Sequence, residues 1–60
     1  MYNVKIIFKG FLNIAWYENV ESFNINENNI TIKWWSIASQ KYIISYFNQE
    51  KIKKIIVDKQ

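Results

Sequence analysis

Along residues 2–9 apolar and polar side chains alternate: Tyr2, Val4, Ile6 and Phe8 fall on one side and Asn3, Lys5 and Lys9 on the other, with Ile7 alone out of step. Successive side chains of an extended chain point to opposite faces, so this spacing specifies a half-buried strand and not a helix. Gly10, the only glycine, follows at once with the permissive backbone a tight reversal needs. The alternation resumes with Leu12, Ile14 and Trp16 on the side expected to face inward, and with Phe11, Asn13, Ala15 and Tyr17 on the other. A β-hairpin is the expectation.

The inward positions change parity between Trp16 and Phe23, which predicts a bulge within YENVES, residues 17–22. NENN, residues 26–29, is a turn of the Asn-rich kind. Strands are predicted over 30–37 and 41–48, separated by the loop SIASQ and closed by a turn at NQE. The last stretch, KIKKIIVDK, carries both a helical spacing (Ile52, Ile55, Ile56) and the β-branched richness of a strand. A short turn or single helical turn at 49–52 followed by a closing strand is the preferred reading. Residues 1–60 are thus expected to make one all-β domain: a small antiparallel five- to six-stranded curved sheet or barrel, on the scale of Src-homology and Sm-type modules.

Sixty residues bury only about 60% of the surface the unfolded chain exposes. Folds this small lean on disulfides, metals or a second copy of themselves. With no Cys and no His, the first two supports are missing, so oligomerisation is expected, and no cofactor or metal site is. The same lack removes the usual bases and nucleophiles. Ser22, Ser36, Ser39 and Ser45 have no base beside them, and Glu18 and Glu21 read as solvated charges at a bend. A non-enzymatic protein is expected. The first twenty residues do not read as a signal peptide and no apolar run approaches the length of a bilayer crossing, so a cytoplasmic location, in the cytoplasm of a host cell, is expected, with no membrane partner.

Eleven residues are Phe, Trp or Tyr, more than the core of so short a chain accommodates. ITIKWWSI sets Trp34 beside Trp35, so one indole faces in and the other out. Trp35, with Tyr17, Phe11, Phe47 and Ile37, is the predicted partner-binding set, through which a homodimer forms or a protein partner docks. The outward pair on 41–48 is either Ile43 and Phe47 or Tyr42 and Tyr46. The alternative function is single-stranded nucleic-acid binding, with Lys33, Lys41, Lys51, Lys53 and Lys54 interleaved with the aromatics. The net charge of +3 comes wholly from Lys, and the lack of Arg argues against sequence-specific duplex recognition.

Twelve Ile, eight Asn and eight Lys use A- and T-rich codons, which points to an AT-rich genome. The order VKIIFKG, YENVESFNI, NITIKW and KIKKIIV resembles the small β-rich proteins of phages and mobile elements from low-GC bacteria. That resemblance implies a phage-type inhibitor that binds and blocks a host protein, such as a defence nuclease or helicase. It assigns no residue a role.

Overall fold

The computed structural model describes residues 1–10 and 13–60. Five antiparallel strands form one sheet: β1 (Tyr2–Phe8), β2 (Ile14–Ile25), β3 (Asn29–Ser36), β4 (Lys41–Asn48) and β5 (Ile52–Lys59), in the order β4-β3-β2-β1-β5. The all-β expectation holds. Of the two architectures anticipated, the curved sheet is the one formed: β4 and β5 remain as edges and the barrel does not close. A single 3-10 turn, Gln49–Lys51, precedes β5, where a short helical turn was expected. The ambiguous C-terminal stretch is a strand because β1 supplies its ladder and turns Ile55 and Val57 toward the core.

β2 shapes the sheet. Its first half pairs with β1, its second half with β3, and Val20 alone is laddered to both, opposite Tyr2 and Trp34. Bulges flank that residue. Between the Val4–Tyr17 and Tyr2–Val20 pairs, Glu18 and Asn19 oppose one residue of β1; between the Val20–Trp34 and Ser22–Lys33 pairs, Glu21 is the extra residue. Asn19 adopts φ 56°, the left-handed conformation that Asn tolerates better than most side chains. Each bulge bends and twists the strand, and two in succession roll the sheet.

The bulge expected in YENVES is therefore present, but there are two, and their parity changes cancel. Ala15 and Tyr17, not Ile14 and Trp16, face the core: Ala15 lies opposite Ile6 and Tyr17 opposite Val4. Ile14 and Trp16, read from the sequence as inward, are 49% and 55% exposed. A one-residue slip in a period-two pattern moves every side chain to the other face, and IAWY, residues 14–17, accommodates both registers. Leu12, also expected inward, lies outside the described residues.

The rolled sheet encloses Val4, Ile6, Val20, Ile30, Ile32 and Ile52, all buried. Tyr2, Phe8, Tyr17, Trp34 and Phe47 pack around them. Phe8 of β1 meets Phe47 of β4 at 5.6 Å between ring centroids, and Tyr17 of β2 meets the same ring at 5.9 Å. Strands that are not neighbours in the sheet are thereby held together. Phe23 and Ile25 lie on the core side, opposite Ile32 and Ile30, yet stay substantially exposed at the open end.

Backbone hydrogen bonds secure the crossing from one edge to the other. The Gln49 amide donates to the Asn28 carbonyl at 3.0 Å and the Lys9 amide donates to the Lys51 carbonyl at 2.9 Å, so the 3-10 turn is tied to two hairpin ends. Asn48 Oδ1 caps it by accepting from the Glu50 amide. In the β2–β3 turn, Asn26 Oδ1 accepts from the amides of both Asn28 and Asn29 at 2.9 Å, the local bonding that makes Asn a turn former. Gly10 takes φ 95°, the conformation its lack of a Cβ permits.

Ile32→Ala should lower unfolding free energy by about 2–5 kcal/mol, whereas Ile14→Ala on the solvent side of β2 should change it by no more than about 0.5 kcal/mol. At Asn19, Val should cost about 1–2 kcal/mol relative to Asn for its left-handed backbone, and Gly should be tolerated. Urea-unfolding midpoints of the four variants check both statements.

Candidate partner-binding site

The ladder between β2 and β3 stops at the Val20–Trp34 pair. Beyond it β3 continues against β4 as far as Ser36–Lys41, while β2 turns away to run against β1. The two strands splay, and the gap between them is a groove of about 290 Å³. Because the gap passes through the plane of the sheet, residues of both faces reach it. All three tryptophans of the chain line it, together with Tyr17, the bulge residues Glu18 and Asn19, and Ile37 at the rim.

Each indole is held differently. Trp34 faces the core, donates its Nε1–H to Ser45 Oγ at 2.9 Å and packs against Tyr17 at 5.4 Å. Trp35 faces the opposite side and meets the Tyr42 ring edge-on at 5.0 Å. Trp16 is the most open of the three, with Lys5 Nζ 5.7 Å from its ring centre. Rings anchored in this way give up little rotamer freedom on contact with a ligand. The hydroxyl of buried Ser36 accepts the Ser39 amide at 3.2 Å and so fixes the loop that carries Ile37. Ile37 is itself 71% exposed.

Of the residues expected to bind a partner, Trp35, Tyr17 and Ile37 meet in this groove. Phe47 does not: it faces the core between Phe8 and Tyr17. On β4 the outward side chains are Tyr42, Ile44 and Tyr46, the second of the two pairings left open, with Ile44 added. Phe11 lies outside the described residues. Trp16 is the member that sequence reasoning missed, since its outward placement follows from the register of β2 and not from its own neighbours.

The lysines named for nucleic acid do not converge. Lys33 is engaged on both sides, 3.6 Å from Glu21 Oε2 and 4.8 Å from the centre of the Tyr42 ring. Lys41 opens β4 and Lys51 lies in the 3-10 turn past its far end, a strand length of about 26 Å apart. Lys53 and Lys54 sit on β5, the opposite edge of the sheet. Among the described residues no three His, Cys, Asp or Glu side chains come together. A second hollow of about 290 Å³ is lined by Asn28, Asn29, Asn48 and Tyr46, where Asn29 Nδ2 donates to the Tyr46 hydroxyl at 3.1 Å.

No protein-family model, curated protein or solved structure matches the chain. Among the described residues no helix is long and apolar enough to cross a membrane.

The two adjacent indoles should separate in a stability experiment. Trp34→Ala, which removes core packing and strands Ser45 Oγ, should cost about 3 kcal/mol. Trp35→Ala should cost about 1–2 kcal/mol. Thermal melts followed by far-ultraviolet circular dichroism give the comparison.

Proposed function

We propose that this chain is a non-enzymatic interaction protein that binds a surface of a partner protein through the groove between β2 and β3. The observation that supports this most directly is the gathering of Trp16, Trp34, Trp35 and Tyr17 around one opening. Aromatic side chains in well-packed pockets dominate protein interfaces, with Trp and Tyr among the most enriched. In this reading Trp35 and Trp16 are the anchors, Ile37 adds an apolar rim contact, and Tyr17 and Trp34 form the floor. Binding and blocking a host protein, in the manner of a phage-type inhibitor of a defence nuclease or helicase, is the biological role the sequence resemblance suggests for such a surface.

Single-stranded nucleic acid is the second reading, favoured by the two lysine–aromatic pairs, Lys5 with Trp16 and Lys33 with Tyr42. It is weakened by the dispersal of the remaining lysines and by the pairing of Lys33 with Glu21.

Capture of a partner from host lysate, with and without nuclease treatment, tests both. Trp16→Ala and Trp35→Ala should each weaken protein capture by roughly thirtyfold or more, the effect of losing about 2 kcal/mol at a hot spot, while leaving the circular dichroism spectrum unchanged. Capture that disappears with nuclease and falls steeply with salt would instead support nucleic-acid binding.

A further inference from the structure

The two edges of the sheet differ in chemistry. β5 reads IKKIIVDK and is guarded: Lys53, Lys54, Asp58 and Lys59 place charge along it, and Lys53 is bulged out of register with β1. Charges and bulges are how sheet edges resist pairing with other strands. β4 reads KYIISYFN and has no such guard. Its single charge, Lys41, sits at its first position, and its register against β3 runs unbroken from Asn29–Asn48 to Ser36–Lys41.

The outward row of β4 is also symmetric. Tyr42, Ile44 and Tyr46 are 44%, 66% and 67% exposed, and the two tyrosines stand at equal distances from Ile44. Residues directly opposite in an antiparallel ladder share a face. Setting Ile44 against Ile44 of a second copy therefore sets Tyr42 against Tyr46 of that copy twice over, with all the outward rings on one side. The charges agree with this direction. In the antiparallel arrangement the two Lys41 side chains end about 20 Å apart, well beyond the Debye length at physiological salt, whereas a parallel pairing would place them side by side.

The geometry points to a two-fold symmetric dimer in which β4 pairs antiparallel with β4 of a second copy, Ile44 lying on the axis. A closed isologous contact of this kind uses one patch twice and extends the sheet through both protomers. It also deepens the surface already described without occupying it. The groove lies on the β2 side of β3 and the new contact on the far side of β4, so both can be filled at once. Tyr42 touches Trp35, and its packing in the dimer steadies that anchor from behind.

The chain has no cysteine, which makes single-thiol variants unambiguous. Opposed residues in an antiparallel ladder have Cα atoms about 4.5–5.5 Å apart, within disulfide range. Ile44→Cys should therefore form a covalent dimer on air oxidation. Tyr42→Cys alone should not, because its two thiols would lie about 13 Å apart, but a mixture of Tyr42→Cys with Tyr46→Cys should cross-link. Ile44→Lys places like charges on the axis and should weaken the dimer at least about tenfold in sedimentation with an unchanged circular dichroism spectrum. A wild-type chain that sediments as a monomer at every concentration up to millimolar would overturn the dimer. A dimer indifferent to Ile44→Lys, or one cross-linked by Tyr42→Cys as readily as by Ile44→Cys, would overturn its placement on β4. Partner capture through Trp16 and Trp35 is read separately, so failure here leaves the groove's own test intact.

Discussion

Val20 is the residue on which the curvature of this sheet turns. It is fully buried, it is the one position of β2 laddered to both neighbouring strands, and a bulge lies on each side of it. A flat sheet of five short strands would leave one apolar face without cover. By bending β2 at two points the chain folds that face onto itself, and side chains from β1, β2, β3 and β5 form one cluster of buried Ile and Val. With no cysteine and hence no disulfide to help, that apolar contact is the principal source of stability in a chain of this size.

The same bend creates the surface feature. Because β2 leaves β3 at Val20, the two strands diverge and open a groove where otherwise a continuous ladder would run. Three indoles reach it from two faces of the sheet, each restrained by a different contact: a hydroxyl, a tyrosine edge and a lysine. The device that closes the core and the device that displays the aromatic residues are therefore a single distortion of one strand. Straightening β2 would lose both.

Much of the strand layout was legible beforehand. β4 spans the predicted residues 41–48, and β1 and β3 differ from expectation by one residue at their ends, because Gly10, the Asn-rich turn and the period-two pattern are local signals that tertiary contacts did not override. The inward faces of β1 and β3 were legible too, since Val4, Ile30 and Ile32 stand between polar neighbours and the pattern at Ile6 is broken only by Ile7. β2 was not, because both of its faces carry bulky apolar residues near its start and the pattern fits either register. The buried Val20 and Ile52 gave no periodic signal, one lying between bulges and the other at the junction of a turn and a strand.

For the groove, the sequence indicated that Trp34 and Trp35 must part to opposite faces and that aromatic residues exceed what the core holds. It led to Trp35, Tyr17 and Ile37 but also to Phe47, which the roll of the sheet draws inside against Phe8. By itself, then, the sequence determined the all-β class, the turns and the alternation within β1 and β3, because steric preferences of short segments decide these. Only the tertiary structure decided that Trp16 faces out, that Phe47 faces in and that the three indoles meet, because those outcomes depend on the register that β2 takes against β1 and β3 at once and on the roll its bulges impose, which brings Phe47 of β4 against Phe8 of β1.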